Sequence, residues 1–382
     1  VIYLDNAATT YPKPPSVYER TFAWMRESGG NPERGTHSLA SSAGRIIEEA
    51  RRQTARLFGV PDPHRVIFTY NCTDSVNMVL KGLLSPGDHV VTTTLDHNAV
   101  SRPLERLRRE GGIAVTRVPF DRNGFVDPDQ TRGCIKSSTK LIILCHGSNV
   151  LGSVQPLAPF VEMAERTGVP LLLDAAQTAG RTPVQTGAAP VFVACSAHKG
   201  LYGMPGLGIL TVPGSIPLRN WREGGTGTAS ESIEHPSDLP MRLEAGTPNF
   251  LSIASLHFAL EFLQQEGMDA IHRQELDLAL ALHDFLVSDA RFVVYSALRS
   301  GLRTAVVSFN LRSAAPEEVA VILDQRFEIA VRSGLHCAAV LHEQLGTLPG
   351  GCVRVSPGYF NTTGDITALI DALRTIADGY SG

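Results

Sequence analysis

Short runs of Val, Ile, Leu and Phe alternate with longer amphipathic stretches along most of the chain. The runs at residues 66–69, 90–94, 114–118, 141–145, 170–174, 191–195 and 208–212 read as buried strands. Between and before them, apolar positions recur at three- and four-residue spacing. That spacing predicts helices over residues 16–27, 43–58 and 75–84, and from 98 to about 109. Strands alternating with helices in this way indicate an α/β domain. A Gly-, Thr- and Ser-rich loop occupies residues 224–232, and two longer helical patterns come after it at 250–265 and 270–288. Beyond them the order changes. Strand patterns at 292–295, 304–311, 329–332 and 352–356 mix with helices starting near Pro316, near Ala338 and at Gly364, which predicts an α+β lobe with its seam near residues 260–270.

Composition narrows the class. The chain has 382 residues, 43% hydrophobic and 19% charged, which suits a soluble two-lobed protein with a substantial core. A formal net charge of −4 argues against a nucleic-acid partner. No apolar run reaches bilayer-spanning length, and the first residues lack the basic start and long apolar run of a secretory signal. The six cysteines show neither a C-x-x-C pair nor framework spacing. Free thiols, no metal set and a cytoplasmic setting are therefore expected.

Five strand ends carry polar residues: Thr73, His97, Asn149, Asp174 with Gln177, and Ser196 with His198 and Lys199. Taken singly, each has an ordinary reading. Thr73 or Asp74 would cap the next helix, His97 would be a structural histidine, and Lys199 a turn lysine at the surface. Polar groups converging on the carboxyl edges of neighbouring strands, however, are what a ligand crevice in an open α/β sheet requires. A strand-to-helix junction such as 70–75 suits phosphate. A desolvated strand-end lysine has a free amine for carbonyl chemistry. With Asp174 lying 25 residues before Lys199, the set suggests pyridoxal 5'-phosphate. Lys199 would meet the aldehyde and Asp174 the ring nitrogen. His97 would stack on the ring, Gln177 would meet its hydroxyl, and Thr73, Ser196 and His198 would hold the phosphate.

The motifs Leu4-Asp5-Asn6-Ala7-Ala8-Thr9-Thr10, Asp96-His97-Asn98, Asp174-Ala175-Ala176-Gln177 and Ser196-Ala197-His198-Lys199 resemble those of class V aminotransferase-fold enzymes. Two further segments, Arg332-Ser333-Gly334-Leu335-His336-Cys337-Ala338 and Val353-Arg354-Val355-Ser356-Pro357-Gly358, narrow the resemblance to the cysteine desulfurase and selenocysteine lyase family. The resemblance implies a pyridoxal-phosphate-dependent transferase fold of type I. Residues 15–262 would form a large domain with a mixed, mainly parallel seven-stranded sheet, and residues 1–14 and 263–382 a small α+β domain carrying a mobile cysteine loop. It also implies roles. Lys199 and His97 act at the cofactor, the backbone of Cys72 and Thr73 joins Ser196 and His198 at the phosphate, and Asn149 lies near ring and substrate. Arg354 pairs with the substrate carboxylate, Cys337 becomes a persulfide, and Thr247 reaches the phosphate of a second subunit in a homodimer. Three departures stand out: Ala197 where the family commonly has Gly, Gly203-Met204-Pro205-Gly206 where it has Gly-Pro-x-Gly, and Leu335 where well-known relatives have His.

Cys337 also stands apart on its own chemistry. It lies between a β-prone run and a helix start, with His336 adjacent and Arg332 nearby, and basic neighbours favour the nucleophilic thiolate. Cys145 and Cys195 lie in strands and Cys352 opens one, while Cys134 has no distinguishing feature. The expected activity is removal of sulfur from L-cysteine, giving L-alanine and a Cys337 persulfide that a sulfur-acceptor protein discharges. L-Selenocysteine lyase chemistry is the alternative on the same scaffold. A class V aminotransferase or epimerase would not need Cys337, and a non-catalytic scaffold would not need the whole set.

Overall fold

The computed structural model describes residues 1–32, 37–214, 216–228 and 231–380, so positions 229 and 230 of the Gly/Thr/Ser-rich loop lie outside the described residues. In chain order the elements are β1 (Ile2–Tyr3), α1 (Pro15–Ser28), α2 (Ser38–Phe58), β2 (Val66–Thr69), α3 (Cys72–Leu83), β3 (His89–Thr93), α4 (Asn98–Glu110), β4 (Ala114–Val118), α5 (Pro128–Gly133), β5 (Thr139–Cys145), α6 (Leu157–Thr167), β6 (Leu171–Asp174), β7 (Val191–Ser196) and β8 (Gly208–Thr211). The chain continues with α7 (Phe250–Glu266), α8 (Met268–Ser288), β9 (Phe292–Val294), β10 (Val307–Leu311), α9 (Pro316–Phe327), β11 (Ile329–Ala330), β12 (Arg332–Gly334), α10 (Ala339–Leu345), β13 (Cys352–Val355) and α11 (Thr363–Gly379).

All seven apolar runs expected as strands join one sheet, in the order β2-β8-β7-β6-β5-β3-β4. Only β8 runs against the others. The runs are continuously apolar because both faces are covered. Ile142, Leu144, Leu171 and Leu173 pack into a core with α2, α6 and α7. Their alternates Leu141, Ile143 and Leu172 pack on the other face with α3 and α4. Helix α3 starts earlier than its apolar pattern suggests, and Asn71, not Thr73 or Asp74, is its N-cap, accepting from the Asp74 amide at 2.9 Å.

The C-terminal elements form an antiparallel sheet, β12-β13-β10-β9, with a third core against α8, α9 and α11. The expected strand at 329–332 is divided. Residues 329–330 pair with β1 and residues 332–334 with β13, so the chain changes partners at Val331. The run at 304–311 enters the sheet only at Val307, because Thr304 donates instead to the Gly152 carbonyl of the large sheet's loop. The N-terminal segment joins this lobe: Leu4 lies in its core and Asp5 bridges to Ser356. Among the described residues no helix is long and apolar enough to cross a membrane.

Candidate active site

Strands β2, β3, β5, β6 and β7 all open at one edge, and the residues just past their carboxyl ends face a shared cavity of about 240 Å³. Its wall contains Cys72, Thr73, His97, Asn149, Asp174, Gln177, Ser196, His198, Lys199 and Arg354. Thr247 is not among them. It borders a separate small pocket with Tyr70, Arg222 and Glu244. Cys337 is exposed and lines the adjoining groove beneath α3 and α4, which shares Thr73 and His97 with the cavity.

Lys199 sits in a turn fixed through its backbone. Thr10 Oγ1 donates to the Lys199 carbonyl at 3.1 Å, and Lys13 Nζ donates to the His198 carbonyl at 2.6 Å. Burial pulls the Lys199 amine down from its usual range, against the opposing pull of Asp174. Burial brings Lys13 to about 7. Burial and the two lysines bring His198 to about 4, so this imidazole is neutral, and its Nδ1 is buried without a partner. Ala197 is accommodated by close contact with Gly203, whose missing Cβ would lie 3.1 Å from that of Ala197. The shifted proline segment is held on α7: Ser255 Oγ accepts from Met204 N at 2.8 Å and Ser252 Oγ donates to the Pro205 carbonyl at 2.8 Å.

Asp174 Oδ1 accepts from the Ala176 amide at 3.0 Å, and Ser196 Oγ from the Cys72 amide at 3.2 Å. Gln177 Nε2 donates to the Ala7 carbonyl at 3.0 Å. His97 caps α4 through Nδ1, which accepts from the Ala99 amide at 3.0 Å. That bond fixes the ring plane, and burial keeps the ring neutral by lowering its pKa. Burial likewise pushes the thiols of Cys72, Cys145, Cys195 and Cys352 up, which leaves them protonated and inert.

The second lobe supplies cations and a thiol. Arg354, 1% exposed, reaches the cavity from β13. Its Nη2 donates to Asp5 Oδ1 at 2.5 Å, its Nη1 donates to the Asn149 carbonyl at 3.1 Å, and its Nε has no partner. Asp5 and Arg354 each stand in a motif, but nothing in the pattern pairs the two across 349 residues. Arg332 also lines the cavity, with Nη2 3.9 Å from Cys337 Sγ. The second basic neighbour expected for Cys337 is not basic. His336 is buried, bonded through Nε2 to the Cys352 carbonyl at 3.0 Å, and pushed to about 2 by burial beside Arg354. The cavity thus offers an amine whose pKa burial lowers, a carboxylate, a flat neutral ring, a helix start suited to anions and a guanidinium whose Nε is without a partner.

A family model described as aminotransferase class-V matches residues 2–369. A probable cysteine desulfurase of Methanothermobacter thermautotrophicus is 33% identical, over 98% of this chain and 94% of its own. A cysteine desulfurase of Serratia proteamaculans is 31% identical, over 98% and 93%. The apo structure of a cysteine desulfurase from Thermococcus onnurineus superposes with a TM-score of 0.91 at 30% identity, covering 99% of this chain and 95% of that one. A cysteine desulfurase of Escherichia coli, solved as an S-sulfonic acid, gives 0.87 at 28% identity, covering 99% and 95%.

Proposed function

The chain belongs to the class V aminotransferase family and is a cysteine desulfurase; we propose that pyridoxal 5'-phosphate fills the cavity, that L-cysteine is the substrate and that Cys337 takes its sulfur. The observation that carries this reading is a buried amine, Lys199, beside a carboxylate, Asp174, on neighbouring strand ends, with one exposed thiol in the adjoining groove.

The residues fit the cofactor. A buried His198 Nδ1 without a partner and the amides opening α3 suit its phosphate, together with Ser196. Asp174 would hold the ring nitrogen, His97 would stack on the ring, and Gln177 Oε1 would meet its hydroxyl. When bound, the cofactor supplies an electron sink for bonds broken at the substrate α-carbon.

The chain's own groups do the rest. Desolvation leaves Lys199 able to take and return a proton at the substrate carbons. Arg354 holds the substrate carboxylate with a planar guanidinium. The Cys337 thiolate, with Arg332 beside it, attacks the substrate sulfur. An S–S bond forms, the C–S bond breaks with its electron pair left on carbon, and protonation there gives L-alanine. The persulfide then passes to a thiol-bearing acceptor protein in the cytoplasm. The active form is a homodimer in this reading, with Thr247, which borders a separate pocket and not its own cavity, reaching the phosphate of the second copy.

The test is product analysis with L-cysteine and a thiol reductant. Wild type should yield equal alanine and sulfide. Cys337→Ala should keep the cofactor's visible absorbance and lose at least about 100-fold in sulfide release. Equal rates in the two proteins would overturn the assignment of Cys337.

A further inference from the structure

His336 and Cys337 are consecutive residues with left-handed backbones, φ 48° and 59°. Residues with a Cβ adopt this conformation at a cost, and two in a row persist only where their surroundings over-determine them. Four bonds do so here. Asn98 N donates to the Cys337 carbonyl at 2.6 Å, Ala338 N to the Leu335 carbonyl at 2.8 Å, and His336 Nε2 to the Cys352 carbonyl at 3.0 Å. The fourth is different in kind: Asn149 Nδ2 donates to the His336 carbonyl at 2.7 Å. Asn149 is a side chain of the cavity wall, 6% exposed, and its Oδ1 is buried without a partner. Its own carbonyl accepts from Arg354. One residue therefore touches the carboxylate clamp, the cavity and the turn that carries the thiol.

We propose that Asn149 is a positioning residue that couples occupancy of the cavity to the position of Cys337. The proposal rests on the desulfurase reading. With the cavity empty of amino acid, the Asn149 carboxamide keeps the strained turn in the groove. An α-amino acid held by Arg354 presents a carboxylate and an ammonium to the same carboxamide. Its carboxylate draws Nδ2 away from the His336 carbonyl, and its ammonium satisfies Oδ1. The turn loses a staple, and the strain in its two left-handed residues favours departure from the groove toward the cavity. The thiol is thus released when there is a substrate to attack.

The experiment is backbone amide exchange of the segment 335–339 in the cofactor-loaded protein, read by mass spectrometry, with L-alanine as the probe because it has no sulfur to give up. In wild type, saturating L-alanine should speed exchange about five- to tenfold, the loss expected for one buried hydrogen bond. Asn149→Asp, which turns the donor into an acceptor, and Asn149→Ala, which removes it without adding charge, should both exchange that fast without ligand and gain nothing from L-alanine. A purely structural Asn149 would give fast variants but an unresponsive wild type, and that result overturns the coupling. Variants exchanging at the wild-type rate overturn the clamp itself. Binding of L-alanine is followed separately by the shift in cofactor absorbance. Failure to convert cysteine to alanine would sink the desulfurase reading, while the variant arm still decides whether Asn149 holds the turn.

Discussion

Glu275 should be among the most costly residues to remove although it touches no expected ligand. Helix α8 carries it, fully buried, beneath the Lys199 turn. There its carboxylate accepts from Arg181 Nε at 2.7 Å and Nη2 at 3.3 Å, and from the Tyr202 hydroxyl at 3.0 Å. Burial alone would pull the Arg181 guanidinium down, and Glu275 holds it up. Arg181 lies against Gly200, where an added Cβ would come within 2.7 Å of Nη1, and Tyr202 has a left-handed backbone, φ 58°. Replacing Glu275 with Leu strands a buried cation and a buried hydroxyl, a loss of about 3–5 kcal/mol for this kind of broken pair. Replacing both charges, Arg181→Met with Glu275→Leu, removes the stranded cation and should recover about 2 kcal/mol or more of that loss. Urea unfolding monitored by circular dichroism measures both. The absorbance of the cofactor proposed to bind at Lys199 should broaden in the single variant as the turn loosens. A single variant within about 1 kcal/mol of wild type, or a double variant no better than the single, would refute the reasoning.

Arg354→Lys keeps the charge but loses the planar fork, so KM for L-cysteine should rise about 10- to 100-fold in steady-state assays, the cost of a charge-assisted bond. Asp96 is buried, accepts from the Thr92 and Thr93 hydroxyls, and is raised by burial from 3.8 to about 7. A raised carboxyl favours folding below pH 4 and loses that contribution as pH climbs to about 7, so the stability of Asp96→Asn relative to wild type should increase across that window. The change should be on the order of 4 kcal/mol, and thermal melts from pH 4 to 8 showing a constant difference would contradict it.

The sheet and most of the cavity were legible because their signals are local. A buried parallel strand announces itself as an unbroken apolar run, and the residue just past its carboxyl end must face the crevice. That logic found His97, Asn149, Asp174 and Lys199. It failed where the deciding contact is distant or conformational. Asn71 and Thr73 are both small polar residues at one helix start, and apolar spacing cannot choose between them. His336 beside Cys337 reads as a basic neighbour until burial against Cys352 and Arg354 removes its charge. The left-handed turn that keeps Cys337 in the groove has no glycine at either position to signal it. The split at Val331 depends on β1 reaching Ile329 from the other end of the chain.

That same N-terminal segment sets the surroundings of the proposed clamp. Asp5 bridges to Ser356, two residues from Arg354, and Leu4 lies in the small lobe's core, so Asp5 is held beside Arg354 within the same lobe. The guanidinium is therefore aligned before any ligand arrives, and binding spends nothing on ordering it. The alignment has a consequence for affinity. One Nη donates to an internal carboxylate and the other to the Asn149 carbonyl, and the buried Nε is without a partner. In the role proposed for Arg354, a substrate carboxylate would either share the guanidinium with Asp5, through its unengaged N–H groups, or displace the Asn149 carbonyl. The first route limits how tightly an amino acid can bind, and the second disturbs the residue that holds the Cys337 turn. On the roles proposed for Arg354 and Asn149, weak ground-state binding and thiol release would be two results of one geometry, as suits a reaction whose interactions matter most after the substrate is in place.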